Sequence, residues 1–306
     1  VVELSVPQPK LAEALVKVSV AGVNSIDRQF RDGRLRTPLP FVPGHEGAGV
    51  VTAVGPQVKG LNIGDRVAWS GTLGSYAEYV AAPEEHLVPV PANITDEQAV
   101  AAMVHGLTAH YLVNDAHKLK AGETALVHAA AGGVGLLLVQ LARAVGARVI
   151  GTASSDEKAR LAGEAGADEV IVFTKTDFET EVKRLTGGAG VDVVYDGVGK
   201  DTFEKNLNVM RRRGMLVIYG MSSGAVPPVD PAKLSEKGSL YMARTTLAHF
   251  TATREELLAR TSALFGMIAE GKLKLQIARK YSLGDAVQAH RDMDARKFAG
   301  KVLLIP

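Results

Sequence analysis

The chain contains no cysteine. This excludes disulfides and every zinc site that needs a thiolate. Aromatic residues are sparse, 5% of 306 with a single Trp. Neither sign of charge dominates, with 35 Lys and Arg against 33 Asp and Glu. No basic stripe carries interleaved aromatics, so charge gives no case for nucleic acid. The run Arg211-Arg212-Arg213 is expected to be a solvated turn between a helix and a strand. No apolar run is long enough to span a bilayer and no signal peptide is visible, so the default expectation is a cytoplasmic protein without a membrane partner. What remains is ordinary globular material. The 46% hydrophobic content provides ample core, and the length suggests two domains.

The chain is organised around Thr124–Gly135, TALVHAAAGGVG. An apolar strand runs into small residues and glycines, and Leu136–Ala142 follows as a buried helix closed by Gly146. Strand, tight glycine turn and helix is the layout that binds a dinucleotide pyrophosphate. Small residues let backbone N–H groups approach the phosphates, and the helix start adds its positive dipole end. The match is Ala130-x-Gly132-x-x-Gly135, with Ala in place of the first glycine. A packing turn is the alternative reading.

The context favours the nucleotide. Strands are predicted at Thr124–His128, Arg148–Thr152, Glu169–Phe173, Val191–Asp196, Met215–Tyr219 and Ser239–Ala243. Helices are predicted at Gly135–Val145, Asp156–Ala165, Asp177–Leu185 and Asp201–Met210. Six strands joined this way predict a parallel, doubly wound α/β sheet with ligands at its C-terminal edge. Up to about residue 91, short strands punctuated by Gly and Pro predict a β-rich domain. Its expected elements include a strand at Ala14–Val20, a short helix opening at Asn24 and a strand after Pro43-Gly44-His45-Glu46. A first strand is expected to be missing from the front. Thr95 caps a helix from Asp96 towards Tyr111, with Gly106 as an expected break. Near the end, Thr253-Arg254-Glu255-Glu256 is a capping box. A second helix from about Asp285 and a strand at Lys301–Ile305 close the chain.

These residues together are recognisable. His128–Gly135, Val193–Phe203, Arg213-Gly214, Ser222-Ser223-Gly224, Gly106–Leu112 and the ending Leu303–Pro306 resemble bacterial NADPH:quinone oxidoreductases. These form the zeta-crystallin-like, zinc-free branch of the medium-chain dehydrogenase/reductase superfamily. The resemblance implies a GroES-like catalytic domain at 1–106 and 247–306, and a Rossmann NADP(H)-binding domain at 107–246. It places the active site in a cleft between them and implies a homodimer paired through the edge strand Ser239–Ala243.

The resemblance also assigns residues. Asn24 falls beside nicotinamide and substrate, where a helix cap is its alternative role, and Asp27 is catalytic or paired to a local base. Gln29 stands where many relatives carry Tyr. Tyr111 is either core or set against the cofactor. The cofactor set is completed by Ile26, Gly132, Gly133, Val134, Gly135, Val198, Ser222, Ser223, Gly224, Thr245, Thr246 and Leu247. Tyr76 and His105 are read as boundary residues with satisfied polar tips. Pro43-Gly44-His45-Glu46 carries metal ligands in zinc alcohol dehydrogenases. Here the thiolate partner is lacking, so His45-Glu46 is read as a turn and metal is not expected.

The cofactor is expected to be NADPH. An NAD site places an acid at the end of the second strand to accept from ribose hydroxyls. Here Arg148–Thr152 runs into Ala153-Ser154-Ser155. The hydroxyls of Ser154 and Ser155, with Lys158 one turn on, suit a 2′-phosphate. The resemblance adds Arg296, and Phe173 replaces a common aromatic hydroxyl. The expected reaction is hydride transfer to a quinone, with orientation supplied by the protein. Reduction of activated alkenes is the alternative within enzymes, and a structural or RNA-binding crystallin-like role is the alternative outside them.

Overall fold

A computed structural model describes residues 2–306. The chain divides into two compact units, residues 1–107 with 250–306, and residues 108–249.

The first unit is built on one mixed sheet. Its strands are β1 (Glu13–Val23), β2 (Glu46–Val54), β3 (Arg66–Ser70), β4 (Tyr79–Pro83) and β5 (Leu87–Pro89). The helices α1 (Ser25–Arg31) and α2 (Asp96–Ala101) belong to the same stretch. A π-helical turn at Ala102–Gly106 continues α2 into α3 (Leu107–Tyr111). Gly106 therefore does not break the helix. It is buried, and a Cβ there would lie 3.3 Å from Leu264 Cδ1.

The second unit holds β6 (Thr124–Val127), α4 (Gly133–Val145), β7 (Arg148–Ala153), α5 (Asp156–Glu164), β8 (Glu169–Val172) and α6 (Phe178–Leu185). It continues with β9 (Val191–Asp196), α7 (Phe203–Val209), β10 (Met210–Ile218), α8 (Pro231–Glu236) and β11 (Tyr241–Arg244). The chain then returns to the first unit with α9 (Arg254–Ala269), β12 (Ile277–Ser282), α10 (Ala286–Asp294) and β13 (Lys301–Ile305).

In the first unit the sheet order is β12-β13-β1-β2-β3-β5, with β4 also on β1. β1 is long enough to serve several partners: its residues 13–17 pair with β4, and residues 21–23 pair with β13. The core gathers Val16, Val18, Val51, Val67, Leu87, Val302 and Leu304 around Trp69. The indole is fully buried, so its N–H needs a partner and donates to Ser75 Oγ at 2.9 Å.

The second unit carries six parallel strands in the order β11-β10-β9-β6-β7-β8. That is the doubly wound order, with the chain reversing direction across the sheet between β6 and β9. The central strands read as unbroken apolar runs because helices cover both faces: Ala125, Leu126, Val127, Val193, Val194, Leu216 and Val217 are all fully buried. Each such Val or Leu contributes roughly 1.5–3 kcal/mol by leaving water. Helix α4 stops at Gly146, whose φ of 89° lets its N–H reach Ala142 O and Arg143 O.

Several expectations need correction. Arg211–Arg213 is not a turn between elements but part of β10. The register slips between Met210 and Met215, and Arg213 takes φ 60°, so the run forms an exposed bulge. The edge strand is Tyr241–Arg244, and Ser239 precedes it at φ 56°. Strand β12 and helix α8 were not anticipated.

Candidate active site

In the first unit, α1 begins where β1 ends, so Asn24 and Asp27 fall just beyond the sheet. Asn24 is the N-cap. Its backbone N–H donates to Asp27 Oδ2 at 2.8 Å, so Asp27 closes the helix start. The Asn24 amide faces inward instead of capping. Its Nδ2 donates to Glu46 Oε1 at 2.8 Å, and its Oδ1 accepts from Lys301 Nζ at 2.8 Å. Lys301 Nζ also contacts Glu46 Oε1. Glu46 Oε2 accepts the Val104 N–H at 2.8 Å. Glu46 begins a strand rather than sitting in a turn, and its carboxylate is the hub of a buried polar cluster.

The fold makes this cluster possible. β1, β2 and β13 are adjacent, and Gly22 leaves the space that the Glu46 side chain fills; a Cβ there would lie 1.9 Å from Oε1. Burial pulls the Lys301 ammonium down to about 7, against the opposing pull of the Asp27 carboxylate. Burial pushes Asp27 up to about 6, opposed by hydrogen bonds from the Asn24 amide and Tyr76 and by the charge of Lys301. Asp27 Oδ1 is buried with no hydrogen bond of good geometry, and the His45 backbone amide still favours the carboxylate. His45 is held neutral by burial, near 4, with an unpartnered Nδ1. Among the described residues no group of three or more His, Asp or Glu could hold a metal ion.

Tyr76 is tied into this region. Its hydroxyl donates to Asp27 Oδ2 at 3.1 Å and meets His290 Nε2 at 3.1 Å. Ile26 lies on α1, half-buried, and Arg296 follows α10 at φ 54°.

In the second unit the glycine turn opens α4. Gly132 is the N-cap and has no side chain to bond the first N–H groups of the helix, which leaves them for an anion. Gly135 serves packing: a Cβ there would lie 2.3 Å from Ala129 O. A buried network fixes the turn. His128 Nε2 meets Asn206 Oδ1 at 2.7 Å, so Nε2 carries the proton and Nδ1 accepts from Thr152 Oγ1 at 3.0 Å. Asn206 Nδ2 donates to Asp196 Oδ2 at 2.8 Å. Asp196 Oδ1 takes the Val198 and Gly199 N–H groups at 2.6 and 3.1 Å.

Other expected residues gather around this turn's neighbours. Ser223 Oγ donates to Val198 O at 2.8 Å, and Gly224 bridges Gly199. Ser222 is exposed beside them. Tyr111 is buried, with its hydroxyl 3.1 Å from Thr245 Oγ1. Thr246 and Leu247 follow β11. At the end of β7, Ser155 caps α5 by accepting the Lys158 N–H at 3.3 Å. Ser154 and Lys158 are half-buried, and Phe173 is exposed. The first acid, Asp156, lies inside the helix and pairs with Lys175 at 2.6 Å. The donors present therefore fit NADPH: uncapped N–H groups for the pyrophosphate, and hydroxyls with no carboxylate at the strand tip.

The sequence reading passes over Lys301 and His290, and takes Glu46 only as part of a turn. A charged residue at the first position of each of two apolar strands is the available signal for Glu46 and Lys301, and nothing local marks His290.

Residues 10–92 match the model of the alcohol dehydrogenase GroES-like domain, and residues 133–263 match that of the zinc-binding dehydrogenases. The class is thus a GroES-like unit joined to a dehydrogenase nucleotide unit, here without a cysteine. The chain is 44% identical over 301 residues to the quinone oxidoreductase of Pseudomonas aeruginosa, covering 98% of this chain and 93% of that protein. The crystal structure of Escherichia coli quinone oxidoreductase complexed with NADPH aligns with a TM-score of 0.97 at 42% identity, covering 100% of this chain and 95% of that one. A 2-haloacrylate reductase of Burkholderia sp. is 38% identical, covering 99% of this chain and 94% of that protein. The chain belongs to the quinone oxidoreductase family.

Proposed function

We propose that this protein is an NADPH-dependent quinone reductase that works in the cytoplasm without metal. The reading is carried by the second unit, where an uncapped α4 start stands over a close-packed glycine turn and β7 ends in two serines with no acid. Bound there, NADPH supplies a hydride. Gly132–Gly135 hold its pyrophosphate, and Ser154, Ser155, Lys158 and Arg296 read its 2′-phosphate. Val198, Ser222, Ser223, Gly224, Thr245, Thr246, Leu247, Tyr111 and Phe173 complete the cofactor set, with Ile26 and Asn24 towards the nicotinamide. Asn24 and Asp27 are the proposed catalytic residues.

The catalytic domain is taken as 1–106 with 247–306 and the cofactor domain as 107–246, a division supported by the two compact units. A homodimer through β11 is supported by that strand's position at the sheet edge, with Tyr241 60% exposed. Reduction of activated alkenes is a second reading, favoured by the likeness to the haloacrylate reductase. Steady-state NADPH oxidation with 1,4-benzoquinone, 2-chloroacrylate and crotonyl-CoA separates them. Turnover with benzoquinone and none with the two alkenes supports the first reading, and the reverse supports the second.

A further inference from the structure

Two loop regions of the second unit carry much of the expected cofactor set: Ala129–Gly135 after β6, and Val198-Gly199 after β9 with Ser222–Gly224 laid against it. One chain of buried side chains joins them from inside the unit. It begins at Asp196, the fully buried last residue of β9. Asp196 Oδ1 accepts the Val198 and Gly199 N–H groups at 2.6 and 3.1 Å, and its Oδ2 accepts from Thr202 Oγ1 at 2.7 Å and from Asn206 Nδ2 at 2.8 Å. A carboxylate only accepts, so Asn206 turns its amide nitrogen to Asp196 and its oxygen to His128. The His128 Nε2–H donates to that oxygen at 2.7 Å, which leaves Nδ1 to accept from Thr152 Oγ1 at 3.0 Å. Thr152 Oγ1 has then given its proton, and it accepts the Ala129 N–H at 3.3 Å.

Both ends of the chain hold backbone of special shape. Ala129 takes φ 51°, a left-handed conformation that a residue with a Cβ adopts only where its surroundings hold it. Its carbonyl accepts the Gly132 N–H at 2.8 Å and lies against Gly135. At the other end, the Val198 carbonyl accepts the Ser223 N–H at 2.9 Å and Ser223 Oγ at 2.8 Å, and Gly199 bridges Gly224. Asp196, Asn206, His128 and Thr152 are each at most 2% exposed, so they act on a ligand only through the backbone they hold. Burial draws the His128 ring below the usual histidine range, against the charge of Asp196 and the hydrogen bond of Asn206, so the ring stays neutral. Phe178 packs edge-on against it at 4.8 Å.

We propose that Asp196, Asn206, His128 and Thr152 are positioning residues for NADPH: one polarised hydrogen-bond chain holds Ala129 left-handed and the Val198-Gly199 loop in place, so that the two loop regions meet the cofactor as a single pre-formed edge. This rests on the reading above that Gly132–Gly135 hold the pyrophosphate. Asp196 sets the direction of the whole chain. A flipped Asn206 would set its oxygen against the Asp196 carboxylate, and a His128 protonated on Nδ1 alone would set the Nε2 lone pair against the Asn206 oxygen. Removing one link therefore releases the backbone beyond it. Backbone ordered in advance spares the cofactor the cost of ordering it on binding.

Thr152→Val removes the hydroxyl and keeps the shape of the side chain. In the full chain it should raise Kd for NADPH and for NADH by the same factor, about tenfold, because both cofactors carry the pyrophosphate. Kd for adenosine 2′-monophosphate, which has no pyrophosphate, should stay within about twofold of the parent. Thr152→Ser keeps the hydroxyl and should bring NADPH binding back to within about twofold of the parent. Asn206→Leu should weaken NADPH as well, and the double variant should fall short of the product of the two single effects, as links of one chain do. Nitrogen-15 spectra should show His128, identified by the signals lost in His128→Gln, as the Nε2–H tautomer. Unchanged NADPH binding in Thr152→Val, equal weakening of NADPH and adenosine 2′-monophosphate, no recovery in Thr152→Ser, or an Nδ1–H tautomer would each overturn the proposal. If Asn206→Leu does not fold, the two threonine variants and the spectrum decide. If Gly133→Val binds NADPH like the parent, the pyrophosphate lies elsewhere, and the reading of the turn falls together with this proposal.

Discussion

Lys301→Met is the perturbation that tests the buried cluster most directly. Lys301 and Glu46 are 1% and 0% exposed. Met keeps most of the methylene stem, so lost packing should cost less than about 1.5 kcal/mol. The larger effect is electrostatic. Glu46 would retain the Asn24 Nδ2 and Val104 N–H donors but lose its ammonium, and Asn24 Oδ1 would lose its donor. Below pH 7, where the Lys301 ammonium is charged, breaking a buried pair from one side costs about 3–5 kcal/mol, because one charge stays buried without compensation. For a unit of this size, about 2–4 °C of melting temperature goes with each kcal/mol, so a fall of roughly 6–20 °C is expected. Adding Glu46→Gln should recover a large part of it: the Gln oxygen can accept the Val104 N–H, and its amide can donate to a flipped Asn24. Calorimetry on the parent, the single variant and the double variant measures all three. A single variant melting within about 2 °C of the parent, or a double variant no better than the single, would refute the claim that a compensated charge pair holds this site.

Four further outcomes are expected. Gly135→Ala should lower both stability and NADPH affinity, because its Cβ would sit 2.3 Å from Ala129 O, whereas Gly133→Val should abolish NADPH binding with little change in melting; fluorescence titration and thermal unfolding separate them. Lys158→Ala should raise KM for NADPH about tenfold, as expected for roughly 1.5–3 kcal/mol of charged hydrogen bonding, and barely change KM for NADH. Asp27 is raised from 3.8 to about 6 in the folded state, so its contribution is full below pH 3.8 and is lost as pH rises through about 6; roughly 3 kcal/mol of that fall should vanish from urea midpoints in Asp27→Asn. Chelation should leave quinone turnover unchanged and elemental analysis should find no stoichiometric zinc; activity lost on chelation and restored by zinc would contradict the metal-free reading.

The glycine turn, the six parallel strands and the serine tip of β7 are legible from sequence because local chemistry dictates them. Parallel strands covered on both faces must be apolar throughout, a helix start that accepts an anion must lack a capping side chain, and Gly135 is required by the backbone six residues earlier. Six strands of the nucleotide unit are thus readable from the sequence, whereas helix α8 is not. Errors of sequence reading fell where local rules are silent. The bulge at Arg211–Arg213 depends on how β10 registers against β9. Gly106 is read as a breaker from propensity but is kept in the helix by packing against Leu264. The Asn24, Glu46 and Lys301 cluster joins positions as much as 277 residues apart. Only the adjacency of β1, β2 and β13 brings those charges together, and only burial then shifts their protonation. Tyr76 reaches His290 for the same reason. Which side chains are present is a property of the sequence; which charges share one dry space, and so what each can donate, was decided by the tertiary fold.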